Sequence, residues 1–311
     1  MRDIPVYIFN GFLDSGKTTF IKETILSDNF HEQGRTLLIV LEDGEVEYEL
    51  DMLEKYGVDI CYFDNQSKYS MRKINDIVRK FNSKRIFIEM NCMWDMENFE
   101  LPPFCQVLQE VLFINFETFP IYFNNMRQRF VELFKQADLV IFNRCDDPLE
   151  LREYQTNIKM INNQADYIAM NNEGKVCDAF EKELPFDINA DVIEIKDDDY
   201  GEWYMDTFDN KDNYEGKKVS FNALVVKSDK LPLNTFVAGR LAMTCCADDI
   251  QLFGHLCNGS LDVILEDRDW IHLECIVNYE YNEEYQEEEA ILTPLKIEKI
   301  EPISKPVLNF V

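Results

Sequence analysis

The chain has 311 residues, 46% of them apolar and 29% charged, the balance of a folded protein of roughly two domains; wholesale disorder and collagen-like repeats are excluded. Lysine and arginine number 31 against 59 aspartates and glutamates, a net charge of −28, which repels nucleic-acid backbones and anionic lipid, and no local basic patch offsets it. The 9 cysteines are odd in number and scattered except for Cys245-Cys246, which excludes a disulfide framework, and no run reaches the roughly 18 to 20 apolar residues of a membrane span.

The first residues run straight into a strand-like segment with no leader pattern, so a cytoplasmic protein with reduced thiols is expected. Residues 5–9 form a short apolar run, 10–16 a glycine-containing turn, and 17–26 a stretch of helical periodicity. Buried-strand runs recur at 36–41, 85–90, 110–116, 139–142 and 167–170, separated by amphipathic stretches such as 74–81 and 126–135. This alternation predicts a doubly wound α/β domain over 1–190, with a mostly parallel sheet covered by helices on both faces.

Beyond 189 the pattern changes. Segments 196–201 and 209–216 are acidic and turn-rich, and 191–215 reads as a connecting region. From 216 to 311 strands dominate, at 219–228, 235–245, 251–257, 270–281 and a last pair around 291–300, which predicts a smaller β-barrel or sandwich. The glutamate-rich run 283–289 reads as a solvated hairpin or loop.

Chemistry concentrates first in the turn. Residues 11–18, Gly-Phe-Leu-Asp-Ser-Gly-Lys-Thr, match G-x-x-x-x-G-K-[ST] between a predicted strand and a predicted helix, as the motif requires. Gly11 and Gly16 let backbone N–H groups of the loop, Asp14 and Ser15 included, turn toward phosphates, and the helix N-terminus at Lys17 to Thr19 adds partial positive charge. In such a loop Lys17 bridges the β- and γ-phosphates and the Thr18 hydroxyl ligates Mg²⁺.

Partners are expected at the carboxyl ends of neighbouring strands. Glu89 ends one strand as an acid approaching the metal directly or through water, and Glu42 begins an acidic turn, 42–45, suited to hold Mg²⁺ or orient the attacking water. Asn143 and Asp146 follow the strand 139–142. A carboxylate there pairs with the ring and exocyclic N–H donors of guanine and is left unpaired by adenine, which favours GTP.

Taken in order, these residues resemble the CobW/HypB/UreG family of P-loop GTPases, and most closely its CobW branch. The loop Gly11 to Thr19, the turn Leu41-Glu42-Asp43-Gly44-Glu45, the segment Glu89-Met90-Asn91-Cys92 and Asn143-Arg144-Cys145-Asp146 carry the resemblance over roughly residues 4–190. It implies GTP hydrolysis coupled to delivery of a metal ion or metal cofactor, with Zn²⁺ a candidate, to a client. Leu41, Cys92 and Arg144 replace the family's asparagine, glycine and lysine, and the Cys-x-Cys-Cys motif is absent, Cys61 standing alone.

The segment from Phe236 to Gln251, with Met243-Thr244-Cys245-Cys246-Ala247 at its centre, resembles the soluble domain of a bacterial putative two-component permease, which implies an OB-like barrel and association with transport. From the residues alone, Cys245, Cys246 and Asp248, with His255 and Cys257 on one face of the next strand, can form a thiophilic metal site if the strands pair and the chain bends; otherwise the thiols are core and His255 a surface imidazole. Cys105, Cys145, Cys177 and Cys275 read as packing, and His31 and His272 have no evident companions.

The expected protein is thus a Mg²⁺-dependent GTPase, slow without a partner, serving metal handling with a client protein or membrane permease. A non-hydrolysing nucleotide-dependent adaptor and a P-loop small-molecule kinase stand beside it.

Overall fold

In a computed structural model the described residues are 3–27, 30, 34–94, 99–177, 184–228, 230–232, 234–243, 250–259, 261, 263–282 and 286–309. They fall into two compact units, one of residues 1–153 and 164–180 and the other of residues 154–163 and 181–311.

The first unit is built on β1 (Ile4–Asn10), α1 (Lys17–Leu26), β2 (Thr36–Val40), α2 (Leu50–Lys55), β3 (Val58–Tyr62), α3 (Met71–Phe81), β4 (Arg85–Glu89), β5 (Cys105–Asn115), α4 (Phe119–Asn125), α5 (Arg127–Gln136), β6 (Leu139–Asn143), the start of α6 (Pro148–Ile161), whose residues from 154 belong to the second unit, β7 (Asp166–Met170) and β8 (Val176–Cys177). One sheet runs β3-β2-β4-β1-β5-β6-β7-β8. Every pairing is parallel except β7 with β8.

The central strands β2 and β4 are buried along their whole length, as continuous apolar runs demand when both faces are covered. One face packs Ile8, Leu37, Ile39, Ile86 and Ile88 against Ile74 and Val78 of α3. The other packs Phe9, Leu38, Phe87 and Phe113 against Ile21 and Ile25 of α1. Helix α3 has defined ends: Ser70 Oγ accepts the amide of Lys73 at the start, and Asn82 takes the left-handed conformation, φ 51°, at the finish.

Sequence periodicity anticipates β1, β2, β4, β6, β7, α1, α3 and α5 to within a few residues, and of β5 the second half, from residue 110. It does not mark β3, whose alternating burial is weak, nor α2, α4 and α6.

The second unit comprises β9 (Ile193–Glu194), α7 (Tyr200–Asp209), β10 (Lys218–Val226), β11 (Thr235–Met243), β12 (Ile250–Asn258), β13 (Trp270–Asn282), β14 (Glu287–Ile300) and β15 (Val307–Asn309). Antiparallel β10–β11, β11–β12, β13–β14 and β10–β13 pairs and a parallel β12–β14 pair close five strands into the ring β10-β11-β12-β14-β13. Alternate residues Val219, Phe221, Ala223 and Val225 of β10 and Ile271, Leu273, Cys275 and Val277 of β13 point into its core, the period-two pattern that the sequence shows.

Two features differ from the sequence reading. The last pair of strands expected around 291–300 is one strand, β14, paired with β13 across a register shift at Glu274/Cys275, opposite which Pro294 sits; an irregularity is where a strand tolerates a residue without an N–H. The acidic stretch 191–215 contains β9 and α7, and Tyr200, Trp203 and Tyr214 within it are fully buried in the core of this unit. The aspartates occupy the solvent side of a segment whose aromatic residues face inward, so charge density alone hid an amphipathic helix. Of the run 283–289, residues 283–285 lie outside the described residues, and Glu287 to Glu289 are already in β14.

Candidate functional site

The loop between β1 and α1 is shaped by two glycines. Gly11, at φ 140°, would place a Cβ 2.3 Å from the carbonyl oxygen of Phe113, and Gly16, at φ 96°, would place one 2.7 Å from Nδ2 of Asn143. No other residue type fits either position. Gly16 gives α1 no side-chain cap, so no cap occupies the amides of its first turn. Phe12 anchors the loop from outside, stacking on Phe130 of α5 at 4.8 Å and lying 5.7 Å from Tyr122 of α4. The aromatic run 113–123 therefore serves as core, with Phe113, Phe116, Phe119 and Phe123 buried.

Lys17 is only 3% exposed. Its ammonium donates to the carbonyl oxygens of Gly11 at 2.7 Å and Phe12 at 2.9 Å, and pairs with Glu42 Oε2 at 2.6 Å. Burial pushes the Glu42 carboxyl above its ordinary range, and Lys17 opposes that push. Beside this pair, Thr18 Oγ1 donates to Glu89 Oε1 at 2.5 Å, and Tyr48 Oη donates to Glu89 Oε2 at 2.6 Å. Burial first, then the Glu89 carboxylate, raises the Tyr48 phenol far above its usual range, so it remains a donor.

These residues border a cleft of about 330 Å³, lined by Asp14, Ser15, Gly16, Lys17, Thr18, Thr19, Glu42, Gly44, Glu45, Val46, Glu89 and Arg144, with Leu13 at its rim. The volume is in the range of small-molecule sites. Gly11, Asn143 and Asp146 are not part of that lining. Asn143 Nδ2 donates to the carbonyl oxygen of Ser15 at 2.5 Å, so this side chain holds the loop. Asp146 is exposed, and its carboxylate accepts the backbone amide of Asn172 at 3.0 Å and its side-chain amide at 2.5 Å. Arg144, at φ 53°, donates from Nη1 to the carbonyl oxygen of Asp14 at 3.2 Å.

Mg²⁺ prefers hard oxygen donors, and the Thr18 hydroxyl and Glu89 carboxylate converge with such donors beside the ammonium of Lys17, so the residues present fit that ion.

Sequence reasoning missed three residues here. Tyr48 carries no motif signal. Arg129 of α5 donates from Nε to the carbonyl oxygen of Cys92 at 2.5 Å and from Nη2 to that of Trp94 at 2.9 Å, gripping the chain just after Glu89. Glu110 accepts from Asn10 Nδ2 at 3.0 Å, while Asn10 Oδ1 accepts the amide of Gly11 at 2.9 Å; burial lifts the Glu110 carboxyl to about 7.

In the second unit, Cys245, Cys246 and Asp248 lie outside the described residues, as does His31 in the first. His255 and Cys257 do share a face of β12, and that face is the barrel core. His255 is not a surface imidazole: its Nε2 is 3.1 Å from Thr207 Oγ1, its ring stacks on Tyr204 at 4.9 Å, and burial depresses it to about 3. The Cys257 thiol is fully buried and pushed up to about 12 by burial. Among the described residues no group of three or more His, Cys, Asp or Glu is placed to hold a metal ion. His272 has a companion, Asn222 Oδ1 at 2.9 Å from its Nδ1. Cys145 and Cys275 are buried and Cys105 and Cys177 partly so, all with free thiols. Among the described residues no helix is long and apolar enough to cross a membrane.

No curated protein matches the chain. Among solved structures it is similar to the hydrogenase maturation factor HypB from Archaeoglobus fulgidus, at 19% identity over 55% of this chain and 82% of that one, with a TM-score of 0.40. HypB from Helicobacter pylori in complex with nickel matches at 14% identity over 55% and 80%, with a TM-score of 0.38. The Zn(II)-bound YjiA GTPase from E. coli matches at 14% identity over 84% and 91%, with a TM-score of 0.43. Residues 170–311 match the DUF1980 C-terminal domain. Residues 5–169, which hold the loop, the acidic turn and both carboxylate-bearing strand ends, match the CobW/HypB/UreG nucleotide-binding domain, and the chain belongs to that family.

Proposed function

We propose that the chain binds GTP with Mg²⁺ in the cleft at the end of β1 and hydrolyses it to drive the handling of a metal ion. The observation that carries this reading is the state of Lys17: a buried ammonium facing an open cleft, held by two loop carbonyls and by Glu42. Phosphate oxygens are better partners for that cation than a carboxylate shared with the protein, and the uncapped first turn of α1 supplies the matching amides.

Thr18 and Glu89 are the residues that would hold Mg²⁺, which when bound neutralises charge on the phosphates. Lys17 binds the β- and γ-phosphates, and Glu42, released from Lys17, turns its carboxylate to orient the attacking water. Asn143 keeps Ser15 in place, and Asp146, turning from Asn172, accepts the N–H donors of guanine. The family supports metal handling as the output, and its neighbours include a HypB bound to nickel and a YjiA bound to Zn(II); a client protein or membrane permease is the receiving partner in this reading. The ring order of the second unit, with its parallel β12–β14 pair, is read as an OB-like barrel. A cytoplasmic setting agrees with the free thiols of the described cysteines.

A second reading, binding without turnover, is favoured by one contact. Cys92 stands where the family has glycine, and the grip of Arg129 on its carbonyl restrains the peptide that would have to turn toward the γ-phosphate.

Calorimetry with GTP, GDP and ATP in magnesium buffer, together with phosphate release from the same preparation, tests both readings. Micromolar retention of GTP, lost in Lys17→Ala, supports the site; retention with no phosphate released in a single-turnover assay selects the second reading. Absence of binding by any of the three nucleotides would remove both.

A further inference from the structure

The acidic segment between β2 and α2 makes three separate attachments, to Lys17 and Lys22 of α1 and to Glu89 of β4. Glu42 pairs with Lys17; Glu49 Oε1 and the carbonyl oxygen of Glu47 both accept from Lys22 of α1, at 3.0 and 3.1 Å; and Tyr48 donates to Glu89. Only the last is fully inside. Tyr48 is 7% exposed and Glu89 is 4% exposed, so the contact between them is shielded from bulk water.

A buried carboxylate needs donors on both oxygens, and its orientation is fixed when each oxygen has its own. Glu89 has this arrangement: Thr18 on Oε1 and Tyr48 on Oε2. Thr18 and Glu89 are the residues read above as the Mg²⁺ holders, and they come from the loop and from β4. Tyr48 comes from a third segment and is not itself among the residues that line the cleft; it reaches that lining through Glu89.

We propose that Tyr48 is a positioning residue for GTP hydrolysis, its hydroxyl setting the angle of the Glu89 carboxylate so that the other oxygen stays turned toward Thr18. The inference rests on the reading of the cleft as a GTPase site. It goes beyond the motif, because nothing in the phosphate loop or the acidic turn selects a phenol at this position. Removing the hydroxyl leaves Oε2 of Glu89 buried without its donor, and the carboxylate then rotates toward other donors. That rotation disturbs the pair with Thr18 while leaving Lys17, Asn143 and Asp146 intact.

The test uses the full chain and Tyr48→Phe, which keeps the ring and its packing. GTP turnover is expected to fall about tenfold in kcat, with KM for GTP within about twofold of wild type, and the Mg²⁺ concentration for half-maximal turnover is expected to rise. A nucleotide-free readout accompanies this: the urea midpoints of Tyr48→Phe, Glu89→Gln and the double variant. If the hydroxyl serves the carboxylate, the double variant loses less than the sum of the two single losses. Wild-type kcat and unchanged magnesium dependence in Tyr48→Phe would overturn the proposal, as would strictly additive midpoints. Failure of wild type itself to bind GTP would remove the underlying reading and this inference with it, while the midpoints still report whether the two side chains are coupled.

Discussion

The side-chain amide of Asn143, at the end of β6, donates to the carbonyl oxygen of Ser15 in the middle of the phosphate-binding loop, 2.5 Å away. Asp146, three residues on, makes no such contact and faces Asn172. Two residues of one short motif therefore have separable tasks. Asn143→Ala should weaken GTP, GDP and ATP by a similar factor, about tenfold, because one hydrogen bond shaping the common cradle is lost.

Asp146→Ala should act differently. It removes the acceptor for guanine N–H donors and should cut the preference of GTP over ATP by about tenfold to a hundredfold while leaving ATP affinity unchanged. Competitive displacement of a fluorescent nucleotide by both triphosphates measures the two variants side by side. Equal loss for both nucleotides in Asp146→Ala would show that this carboxylate does not read the base.

Glu42 pairs with Lys17, so on the reading proposed above a phosphate takes the place of its carboxylate. Glu42→Gln removes the charge and keeps the shape. GDP should then bind about threefold to tenfold more tightly, since no ion pair is broken, while GTP turnover slows through loss of the water-orienting carboxylate. Calorimetry and phosphate release together check the pair of effects, and weaker GDP binding in this variant would contradict the displacement.

Glu110 is buried beneath the loop and its carboxyl is raised to about 7. The folded form holds the proton that the unfolded chain gives up near 4.5, so the contribution to stability is full below pH 4.5 and is lost as pH rises through about 7. The loss is on the order of 3 kcal/mol. Urea midpoints of wild type and Glu110→Gln between pH 4.5 and 8 should converge at the acid end, with the variant the more stable at the alkaline end.

His255 has the opposite sign. Burial depresses it to about 3, so its neutral ring favours the fold above about pH 6.5, and that contribution is lost as pH falls toward 3. His255→Phe should flatten the acid side of the stability profile in circular-dichroism melts taken between pH 4 and 7, at the cost of the contact with Thr207. An acid profile as steep as wild type would show that other groups govern it.

Much of this molecule is written locally. The loop is legible because its eight residues are contiguous and its chemistry needs two glycines, a lysine and a hydroxyl at fixed spacing. The parallel strands are legible as unbroken apolar runs and the barrel strands as alternation, because burial on two faces or one leaves that imprint on consecutive residues. Amino-acid order thus determined the class of both halves and the place of the phosphate cradle. What folding alone decided is which distant groups meet: Asn143 with Ser15, Tyr48 with Glu89, Arg129 with Cys92, the closing of β10 on both β11 and β13, and α7 as a core helix within an acidic stretch. Such pairs join segments with no fixed spacing between them, and a hydroxyl, an amide or a guanidinium has the same local signature whether it meets water or a buried carboxylate. Only packing withdraws the water and settles the partner.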